Sequence, residues 1–298
     1  MVENQLSNLE LNVYAQRPQT QTIEWIGEGD VNNVALVDDK ELFRFPKNEL
    51  GRGQLAYEFQ LLSKLYGKIS LAVPKPIYID PKNSFSIFGY IPGKVVKDAY
   101  IRDMPTEVQE KLGEDLADFI IELNAGLSKE DVLTAQSLRP GFESWDDWYQ
   151  SMRNVANKNN SKYKSIYENF LEELGKALPN GFDGGNVVIH DDLHALNMIF
   201  TPEDKLTGII DFGDLNIGDI HRELRPIYRI GDKILAALID KLDSQFGTIN
   251  VEAIRRWAIT HEVAVLIERE DNGTLDGKRA KFANELLELW LGENWGEL

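Results

Sequence analysis

Two short segments in the second half of the sequence hold acidic and amide side chains at spacings that suit chemistry on a hydroxyl group. Residues 190–197 read His-Asp-Asp-Leu-His-Ala-Leu-Asn, and residues 209–214 read Ile-Ile-Asp-Phe-Gly-Asp. A carboxylate such as Asp192 can orient a hydroxyl and accept its proton. The amide oxygen of Asn197 and the carboxylate of Asp211 are hard oxygen ligands, which Mg²⁺ prefers. The residue types therefore indicate a magnesium-assisted reaction of a hydroxyl.

The order and spacing of the two segments resemble the catalytic loop H-x-D-L-x-x-x-N and the metal-binding D-F-G of protein kinases. Phosphoryl transfer requires a nucleophile held in line and charge neutralised at the phosphates, with little covalent work by the protein. We therefore interpret Asp192 as the catalytic base and Asn197 and Asp211 as magnesium ligands. The alternative is that all three are turn or strand-end residues that match by chance.

Three neighbours of the predicted base allow more than one interpretation. His190 and His194 lie four residues apart, but a zinc site would need a third histidine or cysteine nearby, and the chain has no cysteine. We interpret His190 as support for the loop backbone, whereas His194 could contact substrate or pack locally. Asp191 could repel nucleotide phosphates or attract a cationic acceptor, and we favour the second.

The elements that would hold the phosphate donor are predicted in the first third of the chain. Residues 22–45 read as three strands joined by tight turns, residues 54–66 as a helix, and residues 77–79 and 85–91 as two further strands. The prediction is a first lobe, residues 1–93, with a five-stranded antiparallel sheet and one helix.

Several residues of that lobe are candidates for binding a nucleotide, ATP or GTP. Gly27 and Gly29 could let backbone N–H groups approach phosphates, although a plain hairpin turn would look the same. Arg44 is predicted to reach the α- and β-phosphates, with Lys47 as the alternative. Glu58 is predicted to pair with Arg44, unless it is an ordinary exposed acid.

The end of the last predicted strand would form the hinge to the second lobe. Phe88 is predicted to border the base pocket. The backbone groups of Gly89 and Ile91 are predicted to hydrogen-bond the edge of adenine or guanine.

Residues 94–298 are predicted to form a mainly helical lobe with the catalytic loop and the acceptor site, so that the whole chain is α+β and two-lobed. The predicted helices cover residues 106–127, 162–178, 222–246 and 251–267. Short predicted strands cover residues 186–189, 198–200 and 206–210.

The two predicted lobes differ in net charge. The net charge is −17: residues 1–93 hold 9 Lys and Arg against 11 Asp and Glu, and residues 94–298 hold 23 against 38. This argues against nucleic acids and anionic membranes as partners, because both need a positive surface. The acidity is either a solvated surface or a groove for a cationic substrate, for which the candidate residues are Trp257, Glu268, Glu270 and Asp271.

The N-terminus lacks a basic start followed by an apolar run, and no stretch of about 18 apolar residues could span a membrane. Together with the absence of cysteine, this predicts a cytoplasmic protein. The oligomeric state stays open.

With these residues in view, the chain resembles the aminoglycoside phosphotransferase family, antibiotic kinases with a protein-kinase-like fold. The family pattern is H-G-D-L-H-x-x-N, then I-D-F-G-D, then G-D-x-x-x-D-L, and the last piece stands here at residues 218–224. Phe-Arg-Phe-Pro at residues 43–46 and Tyr-Ile-Pro-Gly at residues 90–93 are also similar to the family. The resemblance covers roughly residues 22–230 and is most specific around residues 190–219.

The resemblance implies the same base and metal ligands, a structural role for Asp219 at the start of a helix, and an admissible arginine at position 44. The sequence departs from the pattern in three places. Asp191 replaces a usual Gly, Ala195-Leu196 replaces a common Pro-Gly, and Glu223 replaces the usual Asp.

The predicted function is Mg²⁺-dependent transfer of the γ-phosphate of ATP or GTP to a hydroxyl of an aminoglycoside, with a role in antibiotic resistance. The alternatives are kinases of macrolides, choline-like alcohols, homoserine or sugars, and a non-catalytic kinase-fold binding protein. The chain has no A-P-E sequence and no room for an activation segment after D-F-G, which argues against protein substrates.

Overall fold

The structure is a computed structural model, which describes residues 2–28, 31–139, 145–177 and 186–297. The elements are, in chain order, α1 Val2–Gln16, β1 Ile23–Glu28, β2 Asn32–Val37, β3 Glu41–Pro46, α2 Glu49–Leu65, β4 Pro76–Ile79, β5 Ser86–Gly89, α3 Asp98–Arg102, α4 Thr106–Gly126 and α5 Lys129–Gln136. They continue with α6 Trp145–Lys158, α7 Lys164–Ala177, β6 Val187–Ile189, β7 Met198–Phe200, β8 Leu206–Ile209, β9 Asn216–Gly218, α8 Ile220–Tyr228, α9 Asp232–Phe246, α10 Val251–Asp271 and α11 Lys278–Leu291.

The chain folds into two compact units, each made of several segments. The first unit comprises residues 1–96, 122–142 and 196–215, and the second comprises residues 97–121, 143–195 and 216–298. The boundary predicted at residue 93 lies close to the first crossing of the chain between units. The predicted catalytic segment is shared, because residues 190–195 belong to the second unit and residues 196–215 to the first.

The first unit contains the predicted five-stranded antiparallel sheet, in the order β1-β2-β3-β5-β4. Alternation along β3 divides its side chains between the two faces. Phe43 and Phe45 belong to a buried cluster on one face, which also includes Val13 of α1. Arg44 points to the other face, where the ring of Phe88 on β5 lies 5.7 Å from that of Phe59 on α2.

Two helices of the first unit differ from the prediction. Helix α2 begins at Glu49 rather than at residue 54, because the side chain of Asn48 caps it and accepts a hydrogen bond from the Gly51 N–H at 2.9 Å. Helix α1 was not predicted, since its apolar residues are few and weakly periodic. It is anchored by the burial of Val13 against the sheet.

The second unit is mainly helical, as predicted, with α10 packed against α6, α7, α8 and α11. The single helix predicted over residues 222–246 is wrong. The segment forms two helices, α8 and α9, because Ile230 N–H bonds back to the Ile227 carbonyl at 2.9 Å and Gly231 then adopts an extended backbone that starts α9. No helix in the described part of the chain is long and apolar enough to cross a membrane.

Candidate active site

A cavity of about 580 Å³ lies within the first unit, on the sheet face that carries Arg44. Most of its lining is apolar, and a few polar side chains converge on it, as is typical of small-molecule sites. The lining residues are Ile26, Val31, Asn32, Val34, Leu42, Arg44, Gln54, Glu58, Pro74, Phe88, Ile210 and Asp211. Lys47, the alternative to Arg44, is not among them.

The expected ion pair between Arg44 and Glu58 is present, with Nη1 2.5 Å from Oε2. Glu58 is fully buried, and the Arg44 guanidinium lies 5.7 Å from the centre of the Phe88 ring. Burial alone would lower the pKa of Arg44, but the charges of Glu58 and Asp211 outweigh it and raise that pKa. The guanidinium therefore stays charged beside the cavity.

The two predicted magnesium ligands lie at either end of the β7–β8 hairpin in the first unit. Asn197 ends a 3₁₀ turn before β7, and Asp211 follows β8 with a left-handed backbone of φ 67°. The Ile210 N–H donates to the Asn197 carbonyl at 3.0 Å, which ties the chain next to Asp211 to Asn197.

This donor set fits a nucleotide-bound magnesium ion. The described residues hold no cluster of three or more His, Cys, Asp or Glu suited to a metal. Mg²⁺ at phosphates commonly takes only one or two side-chain oxygens and keeps phosphate and water oxygens as its other ligands. Asp211 lines the cavity, and the side-chain amide of Asn197, whose backbone carbonyl is hydrogen-bonded to the residue before Asp211, would supply the second oxygen.

The glycine turn and the hinge are only partly brought to this cavity. Gly27 lies at a bulge of β1 opposite Val34, and Gly29 lies outside the described residues. Phe88 lines the cavity, whereas Gly89 and Ile91 line a neighbouring depression. The Gly89 N–H donates a hydrogen bond to the Lys75 carbonyl at 2.8 Å, so only the Gly89 carbonyl could hydrogen-bond the edge of a base.

In the second unit, Asp192 follows β6 on a loop in which His194 contacts it twice. The His194 N–H donates to the Asp192 carbonyl at 2.8 Å, and the His194 Nε2 lies 3.3 Å from Asp192 Oδ2. Burial alone would raise the pKa of Asp192. The hydrogen bond from His194 and the charges of His194, His190 and Arg225 outweigh burial and lower it. An ionised, part-exposed Asp192 can accept a proton from a hydroxyl.

Two residues predicted to contact an acceptor are buried, which does not fit that role. The carboxylate of Asp191 has no exposed surface and lies against Arg222 and Arg225, so its charge is already neutralised. Trp257 is fully buried in the helical core, with its ring 5.4 Å from that of Tyr149. Trp257 is therefore a core residue of α10 and does not contact a ligand.

The acidic end of α10 is accessible but is engaged locally. Glu268 Oε2 lies 3.8 Å from Arg269 Nη2. Asp271 Oδ1 accepts a hydrogen bond from the side-chain amide of Asn159 at 2.5 Å. One carboxylate oxygen of Glu270 is buried without a partner among the described residues. None of the three lines the small cavity at Asp192 described next.

That cavity, of about 30 Å³, is lined by Asp192, Arg225, Pro226, Arg229, Ala258, His261, Glu262 and Trp290. Glu262 is buried and pairs with Arg279 of α11 at 2.6 Å. Burial, together with the charges of Arg225, Arg279 and Arg229, lowers the pKa of His261 well below its usual value, so the imidazole is neutral. Glu262, rather than the acids at the helix end, is therefore the carboxylate of α10 that lines the same cavity as the predicted base.

Sequence reasoning missed Asn32, Gln54 and Glu262. Asn32 opens β2, lines the cavity of the first unit and is 3% exposed, and its Oδ1 has no hydrogen-bond partner among the described residues. Gln54 lies one helical turn before Glu58. Glu262 lies on a different face of α10 from the fully buried Trp257, and helical spacing could have indicated this difference.

The fold and these residues define a phosphotransferase of protein-kinase-like architecture. The profile of the phosphotransferase enzyme family, APH, matches residues 22–258, and the chain belongs to this family of small-molecule kinases.

Solved structures with the same fold cover almost the whole chain. The GDP and kanamycin complex of APH(2")-IIia is 23% identical, with 96% of this chain and 99% of that chain covered and a TM-score of 0.76. The streptomycin–ATP–APH(2")-IIa ternary complex is 19% identical, with 92% and 97% covered and a TM-score of 0.71. Macrolide 2'-phosphotransferase MphH from Brachybacterium faecium is 15% identical, with 93% and 95% covered and a TM-score of 0.63.

Proposed function

We propose that this protein transfers the γ-phosphate of ATP or GTP to a hydroxyl of a cationic small molecule, an aminoglycoside. The observation that carries the proposal is a cavity in the first unit lined by Arg44, Glu58 and Asp211, in a chain that also holds the ionised carboxylate of Asp192 five residues before Asn197. Structures of the same fold hold GDP with kanamycin and ATP with streptomycin.

The residues of the donor site divide the work. Arg44, fixed by Glu58, would neutralise phosphate charge, and the apolar lining with Phe88 would enclose the base. Asn197 and Asp211 would hold Mg²⁺, which supplies charge neutralisation at the phosphates when bound. Binding the donor through a fixed cation and an enclosed base limits the freedom of the γ-phosphate before transfer.

Asp192 would act on the acceptor. Its carboxylate accepts a hydrogen bond from the acceptor hydroxyl and takes the proton as the oxygen bonds to the γ-phosphorus, while the bond from that phosphorus to the leaving nucleoside diphosphate breaks. His194, beside Asp192 at 3.3 Å, would keep the carboxylate oriented.

The acceptor class is supported by charge. Residues 94–298 carry the acid excess of the chain, and Glu262 places a buried carboxylate at the cavity of Asp192. An ammonium group of an aminoglycoside could replace the Arg279 guanidinium as the partner of that carboxylate.

The test is a panel of acceptors with MgATP and with MgGTP. Kanamycin, streptomycin and gentamicin are compared with a macrolide, choline and homoserine, and phosphorylated products are identified by mass spectrometry and ³¹P NMR. We expect turnover with at least one aminoglycoside. Turnover only with the macrolide or a metabolic alcohol would refute the acceptor class and keep the phosphotransferase mechanism.

The role of Asp192 is tested by Asp192→Ala, for which we expect a loss of about 10²–10⁴-fold in kcat with nucleotide binding retained. The matched control is Asp118→Ala, which removes a half-exposed carboxylate of α4 paired with Lys241. Bacteria expressing the native protein, and not those expressing Asp192→Ala, should grow at raised aminoglycoside concentrations if the protein confers resistance. Unchanged turnover in Asp192→Ala would overturn the mechanism.

A further inference from the structure

The residue before the proposed base, Asp191, stands where a short turn needs an unusual backbone. Its φ of 68° lies in the left-handed region, which a glycine adopts without cost and which most other residues avoid. An aspartate tolerates this conformation better than most side chains, but still at a cost. Something in the surroundings must hold it there.

Two arginines of helix α8 hold Asp191 in this conformation. Arg222 Nε donates to Asp191 Oδ1 at 3.2 Å, and Arg222 Nη2 lies 3.0 Å from Oδ2. Arg225 Nη2 donates to the Asp191 carbonyl at 2.9 Å, and its Nη1 lies 3.5 Å from Oδ1. Both arginines are nearly inaccessible to water, with 3% and 6% of their side chains exposed.

The same helix also fixes the amides of the loop. Glu223 accepts hydrogen bonds from the N–H groups of His190 and Asp191, at 3.1 and 2.8 Å. Helix α8 is itself started by Asp219, whose side chain accepts from the His221 N–H at 2.8 Å. The residue immediately before Asp192 is therefore bound through its amide, its carbonyl and its carboxylate.

We propose that Asp191 is a positioning residue for the phosphoryl transfer: clamped by Arg222 and Arg225, its carboxylate fixes the left-handed turn that presents Asp192. The charge serves the clamp and not the acceptor, because no part of the carboxylate is accessible. The inference rests on the proposed function, since Asp192 must be the base for its position to matter.

The clamp also balances charge. The buried guanidinium of Arg225 lines the same small cavity as Asp192 and would otherwise compete with the acceptor hydroxyl for the Asp192 carboxylate. Asp191 supplies that guanidinium with a counter-charge. Removal of either side of the clamp is expected to misplace Asp192, and a small displacement of a catalytic group is enough to lower a rate by about 100-fold.

The experiment is a double-mutant cycle on kcat with Asp191→Asn, Arg222→Met and the double variant, together with Asp191→Gly. We expect kcat to fall by about 10–100-fold in each single variant. The KM for the nucleotide should change less than about twofold, because its binding residues lie in the other unit. The double variant should lose no more than the worse single variant, since both changes remove one interaction.

A stability control separates positioning from folding. Leu174→Ala removes a fully buried side chain of α7 and should lower Tm without lowering kcat at 20 °C. Asp191→Gly keeps the left-handed turn without strain but leaves the Arg222 and Arg225 guanidinium groups without their counter-charge, so its kcat is measured well below its own Tm and then reports on the clamp. If both Asp191 variants lower Tm but keep kcat within twofold, Asp191 only stabilises the fold and the proposal is wrong.

Different results would refute the role of Asp191 and the proposed function. Loss of kcat in Asp191→Asn with full activity in Asp192→Ala would refute Asp192 as the base. Full activity in both Asp191 variants with an inactive Asp192→Ala would refute the clamp alone. Losses that add fully in the double variant would show that Asp191 and Arg222 act independently, which also contradicts the clamp.

Discussion

Glu223 should make the stability of the protein fall as the pH rises from 5 to 8. Its carboxylate is fully buried on α8, and burial raises its pKa to about 7 against an ordinary 4.5, with the negative charge of Asp191 adding to burial and the two backbone N–H donors opposing it. The folded state therefore holds a proton that the unfolded chain releases above pH 4.5. Stability from this proton is complete below about pH 4.5 and is lost as the pH rises through about 7.

The size of the effect follows from the two pKa values. A group that titrates at 4.5 when unfolded and at about 7 when folded changes the free energy of unfolding by about 2.5 kcal/mol between pH 5 and pH 8. Glu223→Gln keeps the shape and cannot titrate, so its curve lacks this contribution. The difference in unfolding free energy between the two proteins should therefore change by about 2.5 kcal/mol over that range, with the native protein losing stability toward pH 8.

Urea unfolding followed by tryptophan fluorescence measures this difference, because five of the six tryptophans lie between residues 145 and 295. The midpoint difference between native protein and Glu223→Gln should change by about 1 M urea from pH 5 to pH 8. Leu174→Ala, which removes no titratable group, should give a curve parallel to the native one. Parallel curves for Glu223→Gln as well would mean that the two N–H donors hold Glu223 ionised, and the argument from burial would be refuted.

Three further changes test the binding residues. Glu58→Gln should lower the free energy of unfolding by about 3–5 kcal/mol and raise the nucleotide KM, because it leaves the Arg44 guanidinium without its counter-charge; unchanged thermal unfolding would contradict a buried ion pair. Asn32→Ala should raise the nucleotide KM by about tenfold without loss of stability, since its buried Oδ1 has no partner to lose. An unchanged affinity for a non-hydrolysable nucleotide in calorimetric titration would contradict this role. Glu262→Gln should raise the KM of aminoglycosides, but not that of the nucleotide, and an equal effect on an uncharged acceptor would argue against ammonium recognition.

The sequence was most informative where the predicted function depends on neighbours in the chain. The spacing of Asp192, Asn197 and Asp211 is set within one loop and one hairpin, so the motif could be read directly. The alternation of side chains along the third strand predicted Arg44 rather than Lys47 as the phosphate-binding residue, and Arg44 is the one that lines the cavity. The period of a strand is local information, and no distant partner is needed to read it.

Only the tertiary structure decided the environment of the acidic residues. Asp191 and Glu268 look alike in the sequence as carboxylates beside charged neighbours. The first is buried between arginines 31 and 34 positions away, while the second stays accessible at the end of α10. The interaction of a charge depends on the dielectric and the partners around it, and these are assembled by contacts between distant segments. By itself the sequence determined the class of reaction and predicted its reacting groups, and folding determined which carboxylates are buried among arginines and which stay accessible.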